Sequence, residues 1–171
     1  MRLISTLSTI KEESRKTVMT INKVCYFYHS SSGSFKWKYT VFAFDSESGK
    51  VIDSIDLSET LRDVYLDEHT RMVQSHESLF FLSRFAGEIR VHKVSQLSAT
   101  RPKLESKSSL ESRAVDFSVT LFKDKRIFLT GGRHVDDNLN LTSSYSIEDD
   151  QWQSEPSLKI ARDQHSSCSL G

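Results

Sequence analysis

The chain has 171 residues, a length suited to about one domain, and 37 % of them are hydrophobic. Lysine plus arginine and aspartate plus glutamate number 23 each, so the formal net charge is zero. That balance excludes the basic excess of a protein built to bind phosphate backbones and the acidic excess of a solvating tail, while six glycines and two prolines exclude a collagen-like or linker-like chain.

Residues 1–20 form an N-terminal segment in which apolar positions are broken by hydroxyls and followed by Lys11-Glu12-Glu13. No secretory h-region is present, and the segment is expected to form a short helix or a strand. Strand signals follow. Val24-Cys25-Tyr26-Phe27-Tyr28 is aromatic and ends at the turn-rich stretch 30–34. Residues 38–45 are β-branched and aromatic, 46–50 read as a hairpin loop, and 51–57 alternate with a period of mostly two. Residues 58–64 are expected to form one or two turns. The pattern then recurs, with strands over 71–74, 78–84 and 88–94, the turn Ala86-Gly87 between the last two, and a weaker outer strand within 97–110. A third round has strands over 115–122 and 126–130, then 143–147 and 151–153. No segment carries a sustained helical stripe, so the expectation is an all-β chain of antiparallel meanders.

The apolar strands at 24–28, 79–82 and 127–130 occupy similar places in each round, about 50 residues apart. Four-stranded sheets repeated in this way are expected to stack as blades, each burying its faces on its neighbours. The rounds divide as 21–64, 65–112 and 113–159, with 160–171 opening a fourth.

The last third carries a more specific pattern. Arg126-Ile127-Phe128-Leu129-Thr130 ends in the pair Gly131-Gly132; Tyr145 follows 13 residues later and Trp152 seven after that. Arg162-Asp163-Gln164-His165-Ser166 comes next. This constellation resembles the kelch repeat: a strand ending in a double glycine, a third-strand tyrosine, a fourth-strand tryptophan and the Arg-x-x-His-Ser start of the next blade. Earlier rounds depart from it, with Ser30-Ser31 and Ser83-Arg84 where the double glycine would fall and Asp116 where the histidine would fall. The resemblance implies a partial kelch-like β-propeller of about three four-stranded antiparallel blades plus the start of a fourth. Propellers close with about 4–8 blades, so three resolutions stand: a fragment of a longer polypeptide, which is favoured, closure with another copy, or a compact form completed by residues 1–20.

Gly49-Lys50 lacks both the preceding glycine (Phe44 stands there) and the following hydroxyl (Val51) of a phosphate loop. The six histidines and the two cysteines, Cys25 and Cys168, show no zinc spacing. His165 is read as a packing or hydrogen-bonding histidine and Cys168 as a buried side chain in a strand. Asp136-Asp137-Asn138 lacks the alternating ligands and terminal glutamate of a calcium loop. No metal or cofactor is therefore expected. Arg133, His134, Asp136 and Asp137 lie on the polar loop after the double glycine, where rim loops carry function on such scaffolds, and are the candidate partner contacts.

The kelch resemblance implies a non-catalytic interaction module that binds a protein partner, cytoskeletal or ubiquitin-ligase-related, through inter-strand loops. Alternatives are a kelch-like propeller enzyme, an oxidase or sugar-processing enzyme, and a truncated non-functional fragment. Nucleic acid is not an expected partner, given the charge. Nor is a membrane, since no apolar run approaches the ~18–20 residues needed to cross one. Two isolated thiols suit a reducing compartment, so the expected location is the cytoplasm.

Overall fold

Every regular element described in the computed structural model is a β-strand, and the description covers residues 2–4, 17–27, 35–45, 50–75, 78–97 and 99–169. The readings placed on 11–16, the turn within 28–34, the hairpin loop at 46–49 and His76 lie outside these residues.

The strands form three successive sheets. The first runs β1 (Arg2–Ile4), β2 (Thr17–Phe27), β3 (Phe35–Asp45) and β4 (Val51–Asp56) in chain order. β1 pairs antiparallel with β2, Leu3 opposite Ile21, so part of the N-terminal segment supplies the outer strand of this sheet. The second sheet runs β5 (Arg71–Ser75), β6 (Ser78–Phe85), β7 (Glu88–Ser95) and β8 (Lys103–Ser106), with β9 (Leu110–Glu111) also paired to β7. In the third, β10 (Ser118–Phe122) and β11 (Arg126–Thr130) are followed by a separate hairpin of β12 (Arg133–His134) and β13 (Asp137–Asn138), and then by β14 (Thr142–Ser146) and β15 (Gln151–Ser154). All pairings are antiparallel between strands close in sequence, which short connections allow.

Why the sheets stack follows from β6. Its run Leu79-Phe80-Phe81-Leu82 is fully apolar, and side chains alternate between the two faces of a strand. Leu79 and Phe81 enter a core with Tyr39, Val41, Leu57 and Leu61 on the first-sheet side. Phe80 and Leu82 enter a second core with Phe117, Ile127, Leu129 and Tyr145 on the third-sheet side. A sheet covered on both faces needs such a continuous run, whereas a half-solvated one alternates. Fully burying each such side chain contributes about 1.5–3 kcal/mol.

The turns expected over 58–64 are present, with backbone bonds from Leu61 N–H to the Leu57 carbonyl (2.8 Å) and from Val64 N–H to the Leu61 carbonyl (3.0 Å). Two other sequence expectations change in detail. β10 starts at Ser118 rather than 115, because Asp116 takes a positive φ of 55°, which no extended strand accommodates. Cys168 is exposed, not buried in a strand: the segment after residue 160 spends its backbone hydrogen bonds on residues 116, 132 and 139 instead of a ladder.

Candidate functional site

One end of the stack gathers the start of β5, the start of β10, the end of β11 and the β12–β13 hairpin. The double glycine opens this end. Gly131 and Gly132 have φ of +60° and +103°, conformations that favour glycine. A Cβ on Gly131 would collide with the Arg162 carbonyl oxygen and stand 2.6 Å from His165 Cε1; one on Gly132 would stand 2.8 Å from the Val115 carbonyl oxygen. The C-terminal segment fits against this bare backbone. Gly132 N–H donates to the Arg162 carbonyl (2.8 Å), and Arg162 N–H donates to the Leu139 carbonyl (3.0 Å). His165 Nε2 pairs with Thr130 Oγ1 at 3.0 Å. Burial, reinforced by the Arg162 charge, lowers the imidazole's pKa. Gly131, Gly132, Arg162 and His165 therefore share one seam, with the Arg162 side chain itself exposed.

Beside the seam lies an ionic hub centred on Asp116, which is buried. Arg133 Nε donates to Asp116 Oδ2 at 2.9 Å, and His69 Nδ1 meets Oδ1 at 2.8 Å. Arg71 approaches at 3.9 Å while its Nε donates to the Phe117 carbonyl (3.0 Å), and Arg133 also faces Asp163 at 3.7 Å. Burial alone would raise the Asp116 pKa. The hydrogen bonds from Arg133 and His69, with the charges of both, outweigh it and hold the carboxyl below its usual range. The same bond to Asp116 raises the Arg133 pKa above its ordinary value. The hub ties three separate pieces of chain: the loop before β5, the segment before β10, and the base of the hairpin.

The hairpin stands out from this base. Arg133 pairs with Asn138 and His134 with Asp137, leaving Val135 and Asp136 as the two-residue turn. Residues 134–138 are all exposed. Among the described residues the side chains of His134, Asp136 and Asp137 make no hydrogen bond or ion pair, although Asp136 acts electrostatically on Arg133. Of the candidate contacts, Arg133 is thus a clamp at the base, and His134, Asp136 and Asp137 are the projecting groups.

Tyr145 and Trp152 are brought together elsewhere. Tyr145 is fully buried, its ring 5.4 Å from that of Trp152 at 51°. Its hydroxyl donates to Asp150 Oδ1 (2.7 Å), the same oxygen that accepts the Ser108 N–H (2.8 Å), and Trp152 Nε1 donates to the Ser108 carbonyl (3.0 Å). Burial, with the Asp150 charge beside it, drives the phenol pKa upward, and the Ser108 and Tyr145 bonds lower that of Asp150. This latch joins the outer strand of the third sheet to the loop leaving β8.

His69 and Arg71 were not singled out from the sequence, and Asp116 only as a departure from a repeat. A signal was available: His69 and Asp116 are 47 residues apart, close to the repeat length. Among the described residues, no group of three or more His, Cys, Asp and Glu side chains lies close enough to hold a metal ion, and no helix is long and apolar enough to cross a membrane. No protein-family model matches the chain, and no curated protein matches it significantly.

Proposed function

We propose that the chain is a partial kelch-like β-propeller acting as a non-catalytic protein-interaction module, with the hub end of the stack as its binding rim. Two facts support the blade reading. The three sheets are each built on a four-stranded antiparallel meander, the second with β9 as a fifth strand, and they stack face to face in chain order. Residues about one repeat apart also meet at the junctions: His69 with Asp116 at a separation of 47, and Ser118 Oγ with Ser167 Oγ at a separation of 49. Radially repeated sheets bring equivalent positions together in this way.

The observation that carries the interaction reading is the contrast within the hairpin. Its base is locked by Arg133 on Asp116, while residues 134–138 face solvent. A rigid base under an exposed tip lowers the ordering cost of binding. The test compares the wild-type chain with a variant in which residues 134–137 are replaced by Asn-Gly. Both are used for affinity capture from cell extract, after circular dichroism shows equal folding. The expected result is a reproducible set of captured proteins that the variant loses. The same set on both proteins, or none on either, overturns the assignment of function to this rim.

A further inference from the structure

Val135 is placed where folding alone would not put a valine. Its φ is +58°, and among the described residues with positive φ it is the β-branched one. Branching at Cβ makes this region a genuine outlier. Asp136, the second turn residue, does not share the positive φ, and a two-residue turn with that pattern prefers glycine at its first position. The side chain gains nothing in exchange, since Val135 is 70 % exposed. Both the backbone and the apolar surface therefore stand at a disadvantage in the free chain.

The surrounding geometry holds this arrangement in place. Arg133 Nη1 donates to the Val135 carbonyl at 3.3 Å while its Nε is fixed on Asp116. The guanidinium thus braces the turn against the body of the protein. The Arg133 charge is matched by Asp116 and Asp163, which leaves the exposed Asp136 and Asp137 carboxylates as the net charge around the tip. The tip is an apolar knob with an acidic collar on a rigid stalk.

We propose that Val135 is the anchor of the binding rim and inserts into a small apolar pocket, rimmed by lysine or arginine, on a protein partner. The proposal rests on the interaction-module reading and names the contact within it. Strained backbone positions persist where the surrounding structure over-determines them, and they cluster at functional contacts. Preorganisation by Arg133 means that little freedom remains to be lost on docking. The collar gives orientation and a faster encounter with a basic surface, both weakened by salt.

The experiment places the photocrosslinker benzoylphenylalanine at position 134, beside the knob, and separately at exposed position 101, in the loop after β7, on the full chain in cell extract. The trapped protein is identified with its crosslinked peptide, then purified and titrated against the wild-type chain, Val135→Asn and the double variant Asp136→Lys/Asp137→Lys. Asparagine tolerates a positive φ, so Val135→Asn is expected to melt no lower than wild type. The expected result is trapping at 134, a crosslinked peptide carrying lysine or arginine, and a Kd raised about tenfold or more by Val135→Asn, as loss of one buried valine side chain requires. The double lysine variant should weaken binding and invert its salt dependence, since salt then screens repulsion. Trapping only at 101, or a Val135→Asn affinity within twofold of wild type, overturns the anchor and leaves the module reading standing. Trapping at neither position overturns both.

Discussion

Replacing Gly131 by alanine tests whether the double glycine is a packing seam or an ordinary strand end. At φ +60° an alanine costs about 1–2 kcal/mol by backbone sterics alone. Its Cβ would also collide with the Arg162 carbonyl oxygen, a backbone atom that accepts the Gly132 N–H at 2.8 Å and cannot swing away as a side chain could. Relieving that collision displaces the C-terminal segment, at a further ~1–3 kcal/mol for overpacking and about 1 kcal/mol for the weakened hydrogen bond. Gly87 supplies the control: its φ is +87°, yet nothing lies within 4 Å of an added Cβ, so Gly87→Ala carries the backbone cost alone. Urea unfolding followed by tryptophan fluorescence should place Gly131→Ala about 3–6 kcal/mol below wild type and Gly87→Ala about 1–2 kcal/mol below. At 2–4 °C per kcal/mol for a chain of this size, thermal melts should separate the two variants by several degrees. If Gly131→Ala unfolds at the urea midpoint of Gly87→Ala or above it, the seam reasoning is wrong.

Three further outcomes follow from buried polar groups. His92 on β7 is buried with Nδ1 unpaired, and burial followed by the nearby Arg90 charge lowers its pKa. The unfolded chain, titrating near 6.5, therefore takes the proton first, so stability is full above that pH and falls as pH drops through it; His92→Gln should flatten the decline in urea midpoint between pH 7.5 and 5.5. Tyr145→Phe deletes the hydroxyl bond to Asp150 but leaves Asp150 bonded to Ser108, so calorimetry should register a loss of about 1–2 kcal/mol; a loss below about 0.3 kcal/mol would remove the latch from the stability argument. Asp116→His removes the carboxylate that holds Arg133 and His69 and places a fourth basic group beside Arg71, Arg133 and His69. Amide exchange in residues 133–138 should then quicken while β6 stays protected, and unchanged exchange in the hairpin would show that Asp116 does not clamp it.

Most strands are legible because each signals itself locally. Residues 78–85 form a short apolar run that a sheet buried on both faces requires, and 126–130 alternate over a single buried face with Ile127 and Leu129 inward. The site is less legible because its parts are joined across the chain. The expectation of a strand from 115 fails at Asp116, whose positive φ answers to the hub and not to any local preference. The apolar and hydroxyl residues around Cys168 suggest strand, but the backbone there is drawn to residues 116 and 132 first. The hairpin at 133–138 carries no glycine or asparagine in its turn to announce it, and Val135 in particular argues against a turn by propensity.

Asp116 and His165 hold their neighbours by different means. At the seam near the end of the chain, His165 meets the neutral Thr130 hydroxyl and its imidazole is pushed toward the uncharged form. Beside β10, Asp116 instead meets a histidine and an arginine and stays charged. That neutral contact packs the C-terminal segment against the third sheet. A buried carboxylate also demands cations, and the geometry supplies them from two places: the loop before β5 and the hairpin after β11. The hairpin is therefore held by the Asp116 carboxylate, and the exposed tip with Val135 at its apex gains its fixed position through Arg133 from that same group.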